Sequence, residues 1–438
     1  MRKKIMTLFM AMTMALSFAA CGDSKSESGN AGGEAKTEVA SNELTVWAWD
    51  KAFNIYAMEE AQKIYQKDHP DFKLNIVEMS WPDIETQLGT ILSAGETEQL
   101  PDIMLMQDFA YQKYVKTYDN LFQDITDSGI DFSQFAEGKL QNSSVEDRHY
   151  GVPFDNGTVI AAYRTDILEQ AGYTVNDLTN IDWDRFLEIG KDVKEKTGYS
   201  LFSTQAGSSD TVLQMVQSAG GSIWKDNGEP FIVGNDILKQ SIETYKKLFD
   251  AGVLEVTNSW DEYISTFTSG KTLGTINGCW IMASVQTSKD QSGLWRVTNM
   301  PSLTGVSGAT NNSNQGGSSW GVTTNCKNTE LATDFLKNTF AGSTELYDIL
   351  LPNAGALATW LPASESKVYA EPQEFYGGEQ VFTKITDFAS KTPSFEMGVY
   401  YTEANDAIKV VVANVCNGAN IDDELKTAEE TVLFNMGN

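Results

Sequence analysis

Ten tryptophans and a scatter of aspartates are the residues best equipped to hold a ligand in this chain. An indole face covers apolar C–H surface, and a carboxylate accepts paired hydrogen bonds from neighbouring donors, charge-assisted bonds being the stronger kind. Trp49 and Trp81 each stand where a predicted strand ends, and α/β sheets gather ligands at their carboxyl strand ends. Asp50 follows Trp49, Asp108 follows a third predicted strand, and Asp155 and Asn156 lie in the Gly- and Pro-interrupted stretch 150–158. An Asp at such a place also serves as a helix N-cap. Trp224 follows a Gly-Gly turn, and Trp320 follows a soft stretch rich in Gly, Ser, Asn and Thr. Trp47 precedes its strand end and Trp183 sits in an amphipathic helix, so both are assigned to core. Trp260, Trp295 and Trp360 are left unassigned.

Bond-breaking chemistry has less support. The only histidines are His69 and His149, which argues against a His-based metal site or a Ser/His/Asp enzyme. Residues 317–321 match GxSxG, yet that nucleophile elbow needs a later His and none follows His149. Gly270-Lys271-Thr272 imitates the end of a P-loop, but Ser265 occupies the place of the required earlier Gly. Cys279, Cys326 and Cys416 are far apart with no CxxC spacing, so zinc is not expected and buried small thiols are. No cofactor and no metal is predicted. One disulfide among the three stays open.

The formal charge of −28 repels phosphate backbones, which argues against nucleic acid as a partner. At the N-terminus, Arg2, Lys3 and Lys4 precede a sixteen-residue apolar run, 5–20, short for a membrane span but suited to a signal-peptide core. Ala19 and Ala20 then precede Cys21, which resembles a bacterial lipoprotein signal, with Phe18 where that pattern prefers Leu. The resemblance implies a signal peptide over 1–20, a lipid on Cys21 and export to the outer face of the cell membrane. Residues 21–42, with Val39 their one large apolar side chain after Cys21, read as a flexible tether spanning roughly 25 Å.

From residue 43 strands and helices alternate. Residues 44–49 and 72–79 alternate as strands, and 51–67 carries Phe53, Tyr56, Ala57, Ala61, Ile64 and Tyr65 at helical spacing. Pro82 suits the first turn of a helix that ends before Gly95, and 103–106 forms a third strand. Such a β-α-β-α-β series implies a mostly parallel sheet flanked by helices, and without GxGxxG no dinucleotide is implied. Further helices are predicted over 182–197, 235–251 and 328–340. The stretches 151–156 and 302–319 read as crossings between lobes.

The segment 270–280, Gly-Lys-Thr-Leu-Gly-Thr-Ile-Asn-Gly-Cys-Trp, resembles a motif of the extracellular solute-binding proteins of ABC-type sugar importers, the maltose-binding-protein-like family 1. Tyr150 to Asn156, Tyr163-Arg164-Thr165-Asp166, 219–224 and 328–336 follow the same family in order and spacing, with Cys279 where the pattern often has Pro. The resemblance covers nearly the whole mature chain. It implies an α/β, two-lobed periplasmic-binding-protein-like fold with the ligand in the cleft between lobes. Residues 43–152 and 311–345 are then expected in lobe 1, and 153–310 and 346–438 in lobe 2. It also implies that Trp280 is a stacking platform. The expected ligand-binding set is thus Trp49, Asp50, Trp81, Asp108, Asp155, Asn156, Trp224, Trp280 and Trp320. The expected function is capture of a carbohydrate, an oligosaccharide in particular, and delivery to the membrane permease by a monomeric, non-catalytic protein. A polyamine or other cationic solute, which Asp and aromatic side chains also suit, and a secreted glycoside hydrolase, which needs two placed carboxylates, are the alternatives.

Overall fold

The computed structural model describes residues 42–118, 120–225 and 227–437. The expected signal peptide, Cys21 and the tether up to residue 41 lie outside them. The strands, in chain order, are β1 (Glu43–Ala48), β2 (Lys73–Glu78), β3 (Ile103–Gln107), β4 (Ser144–Val145), β5 (Arg148–His149), β6 (Val152–Pro153) and β7 (Asp155–Asn156). They continue as β8 (Val159–Arg164), β9 (Phe202–Gln205), β10 (Leu254–Thr257), β11 (Gly274–Gly278), β12 (Trp295–Thr298), β13 (Ser318–Val322) and β14 (Leu357–Ala358).

The first lobe is built on a five-stranded sheet in the order β2-β1-β3-β13-β6. Its first three strands are parallel, as the alternating series predicts, and β13 runs antiparallel to β3 and β6. Alternation sends Leu44, Val46, Ala48, Ile103 and Leu105 to one face, against helices Asn54–Tyr65, Thr329–Asn338 and Thr344–Ala354. Trp47, Met104 and Met106 go to the other face, against Trp81–Ala94 and Asp108–Thr117. The helix Trp81–Ala94 starts and stops where its sequence dictates. Ser80 caps it by accepting from the Asp83 amide, Pro82 occupies the first turn, and Gly95 closes it in the left-handed conformation at φ 72°.

The second lobe centres on β8, paired antiparallel with β11 on one side and β12 on the other. The parallel pair β9 and β10 forms a separate two-stranded sheet, linked to it just ahead of β11 and β9 by the Leu273 amide donating to the Ser200 carbonyl at 3.0 Å. Val159, Ala161 and Tyr163 face the larger core, which takes in helices Trp183–Thr197, Asp236–Asp250 and Tyr401–Cys416. Ile160 and Ala162 face a smaller core under Trp260–Thr268 and Val381–Ser390.

Besides the shift of Pro153 and Phe154 into the first lobe's sheet and core, two expected boundaries move. Residues 302–312 stay with the second lobe, where the Ser302 carbonyl accepts from the Trp183 amide and Leu303 is in the large core. The return crossing is confined to the segment after Ser313, where the Gln315 amide bonds the Gly157 carbonyl at 2.7 Å and the Phe154 amide bonds Ser318 at 2.9 Å. The second difference lies at 345/346. Leu346, Leu350 and Ala354 pack in the first lobe's core, so the chain changes lobes later, where β14 pairs with β7. A helix's periodicity marks its apolar face but not which core that face covers. Cys279, Cys326 and Cys416 are free thiols.

Candidate ligand-binding site

Strand ends build the first wall. Beyond β1, the Asn54 side chain accepts from the Trp49 and Asp50 amides at 3.1 Å each and fixes the turn into the following helix. Asp50 accepts from the Ala52 and Phe53 amides at 2.8 and 3.1 Å, so one of its oxygens acts locally; burial raises its pKa and these two bonds oppose the shift. Trp49 packs edge-on against Trp81 with ring centroids 5.6 Å apart, and Trp81 against Phe109 at 6.0 Å. Each indole is held by its neighbour, so its orientation does not depend on a ligand.

Buried charge forms the floor. Asp108 and Asp155 are each 2% exposed, and Lys139 is 8% exposed and paired with Asp108. Ser319 donates to Asp108 at 3.1 Å and Ser318 to Asp155 at 2.6 Å. Burial pushes the Asp155 carboxyl up to about 6, against the pull of the Lys139 charge. Gly317, at φ 110°, leaves room for this network, because a side chain there would run into Lys139 and Asp108.

The second wall draws on distant segments. Trp280, just beyond β11, donates its indole N–H to the Gln315 carbonyl at 3.1 Å and lies 5.8 Å from Trp260. Gln315 also donates to Asp210 at 2.9 Å and accepts from Gln214. The lobes touch at the mouth, where Phe109 meets Tyr401 at 5.5 Å and Lys113 pairs with Glu403. Burial there, with the charge of Asp406, pushes Glu85 up to about 7.

These surfaces enclose a cleft of about 940 Å³, near the upper end of the roughly 300–1,000 Å³ usual for small-molecule sites. Trp49, Asp50, Trp81, Asp108, Asp155, Asn156 and Trp280 all line it. Trp224 and Trp320 do not, which corrects the expectation for both. Trp224 is 6% exposed in the second lobe's core, and Trp320 is fully buried between Phe154 and Phe340, 5.6 and 5.4 Å away. Register explains the latter: Trp320 pairs with Leu105 on β3 and turns with it into the first lobe's core, on the face opposite Ser319.

Lys139, Gln214, Trp260, Tyr263, Gln315 and Tyr401 line the cleft without having been expected there. Trp260 was within reach of sequence reading, since it follows the end of β10 as Trp49 follows that of β1. Lys139 and the two glutamines carried no such signal. Among the described residues no group of His, Cys, Asp and Glu is placed to hold a metal ion, and no helix is long and apolar enough to cross a membrane. The aromatic and polar side chains that line the cleft can stack on rings and exchange hydrogen bonds.

Known proteins resemble this chain in sequence and in fold. A lactose-binding protein of Rhizobium radiobacter is 36% identical over 394 residues, covering 90% of this chain and 93% of that protein. An arabinooligosaccharide-binding protein of Bacillus subtilis is 22% identical over 98% of this chain and 96% of its own. Among solved structures, an ABC transporter associated binding protein from B. animalis subsp. lactis, in complex with beta-1,6-galactobiose, superposes with a TM-score of 0.78. At 20% identity over 90% of this chain and 97% of that one, it shows the common two-lobed fold. The family model of the bacterial extracellular solute-binding proteins matches residues 60–371, and the chain belongs to that family.

Proposed function

We propose that the protein is the lipid-anchored, extracellular carbohydrate-binding component of an ABC importer, which takes a disaccharide or short oligosaccharide into its cleft and presents it to the membrane permease. The observation that carries this reading is the presence of two indole pairs, Trp49 with Trp81 and Trp260 with Trp280, in one cleft with a floor of hydrogen-bonding groups. A sugar ring has apolar C–H faces and a rim of hydroxyls. Covering one face of ~80 Å² at ~25 cal/mol/Å² contributes about 2 kcal/mol per platform. The lactose- and arabinooligosaccharide-binding relatives support the same ligand class.

The alternatives find less support. Asp50 and Asp210 also line the cleft and a polyamine could pair with them, but Asp108 is already paired with Lys139 and the similar proteins are named for sugars. A glycoside hydrolase needs an acid that reaches the glycosidic oxygen. Asp155 has a raised pKa, but at 2% exposure it is held beneath the surface by Ser318.

A thermal-shift screen of the mature chain against lactose, galactobiose, arabino-oligosaccharides and maltodextrins tests the reading. A ligand at 100 Kd adds ~2.7 kcal/mol of stability; a flat response across the panel, or turnover of any of these sugars, would sink it. Small-angle scattering should show contraction with the sugar that binds. Cys21→Ser should release the protein from membranes with affinity unchanged, and a variant that stays membrane-bound would remove the lipid anchor from the proposal.

A further inference from the structure

The second wall contains a chain of three side chains whose direction is dictated from one end. Asp210, the first residue of the helix Asp210–Ser218, accepts from the Gln315 amide nitrogen at 2.9 Å. Gln315 in turn accepts, through its side-chain oxygen, from the amide nitrogen of Gln214. Gln214 is 2% exposed and lines the cleft, and its own side-chain oxygen has no partner among the described residues.

An ionised Asp210 can only accept, so Gln315 turns its NH₂ to Asp210 and its oxygen to Gln214. Burial raises the Asp210 pKa, and the Ser208 hydroxyl and the Lys409 charge oppose that shift. Gln214 must then turn its NH₂ to Gln315, since the opposite orientation would set two carbonyl oxygens against each other. What is left over at the end of the relay is an acceptor. A buried acceptor without a partner is rare and calls for a donor from elsewhere.

We propose that Gln214 is a specificity-determining residue whose Oε1 accepts a hydrogen bond from one hydroxyl of the bound sugar, with Asp210, acting through Gln315, as the positioning residue. This rests on the carbohydrate reading above and goes further by naming the donor–acceptor sense of one contact. The platform lies close by, because the main-chain oxygen of the same Gln315 holds the Trp280 indole. A ring stacked on Trp280 is thereby registered against the relay. A site built to accept from a hydroxyl rejects the analogue that lacks it, because its own polar group is left unpaired.

The test is calorimetry on the mature chain with whichever of lactose, galactobiose, arabinobiose or maltose binds tightest, and with the monodeoxy analogues of that sugar. Removal of one particular hydroxyl should weaken binding to the wild type by about tenfold to a hundredfold. Gln214→Leu should lose a similar factor for the parent sugar and no longer distinguish it from that analogue. Asp210→Asn should narrow the same discrimination, since an amide at 210 can donate and allows the relay to run either way. Thermal unfolding of the unliganded variants separates these effects from misfolding. A Gln214→Leu protein that keeps wild-type affinity and the wild-type analogue profile overturns the proposal and leaves the carbohydrate function standing. If that variant does not fold, the wild-type profile decides, and the absence of any single hydroxyl worth about tenfold overturns it. A wild type that binds none of the four sugars overturns the carbohydrate reading and the relay's ligand together.

Discussion

The two walls of the cleft are built by different means. The first-lobe wall follows the ends of parallel strands, and its indoles Trp49 and Trp81 brace each other edge to face. The second-lobe wall joins Gln214, Trp280 and Gln315 from segments 35 and 101 residues apart, and both of its links run through Gln315. Gln315 lies on the segment where the chain crosses between lobes. The first wall is thus complete within its own lobe. The second depends on how the crossing segment sits, because both its aromatic platform and its polar relay are tied to Gln315.

The floor beneath both walls offers the largest effect. Lys139→Met leaves Asp108 and Asp155 buried without their cation and should lower stability by about 3–5 kcal/mol, read by urea unfolding. Asp108→Asn in the same background should recover part of that loss. Trp320→Ala should cost a similar ~3–5 kcal/mol through its cavity while leaving the affinity of the folded protein unchanged, because its indole faces the core. A loss of affinity in Trp320→Ala at constant stability would place that indole in the ligand's path and undo the assignment.

The walls themselves are compared by one substitution each. Trp49→Ala and Trp280→Ala should each weaken sugar binding by about 2 kcal/mol, roughly thirtyfold in Kd. Trp280→Ala should also lower the unfolding midpoint of the unliganded protein, since the Gln315 carbonyl loses its donor; Trp49→Ala should do so less. Equal midpoints in the two variants would erase the distinction between a self-braced wall and one tied to the crossing.

The smallest expected effect lies at the mouth. Glu85, on the first lobe, lies near Lys113 of its own lobe and Glu403, Asp406 and Lys409 of the other, and its carboxyl is raised from 4.5 to about 7. Between those values the folded chain holds a proton that the unfolded chain releases, so this group's contribution to stability falls as pH rises through about 7. Glu85→Gln should therefore raise the unfolding midpoint by ~1–3 °C at pH 8 and hardly change it at pH 5. A gain of the same size at both values would mean that the charge of Glu85 is not the cause.

Much of the first wall was legible in the sequence. Strand alternation, the cap at Ser80 and the stop at Gly95 are local signals, and a strand end is where a parallel sheet exposes its ligand face. These signals placed Trp49, Asp50, Trp81 and Asp108 beside one another although they span 60 residues. Trp280 was placed by motif resemblance, and it too lines the cleft.

Only the tertiary structure decided the rest. Trp320 and Ser319 are neighbours on β13, and which of them meets the floor is a matter of register with β3, set by pairing across the sheet. The gap of 31 residues between Asp108 and Lys139, and that of 101 between Gln214 and Gln315, hold no local pattern that foretells a contact. The lobe on which Thr344–Ala354 docks was likewise beyond its own periodicity. Local sequence specifies which face of an element is apolar and where the element stops, because those depend on backbone sterics and nearest neighbours. Which distant side chain completes a buried hydrogen bond depends on the packing of both lobes at once, and that is settled only when the whole chain has folded.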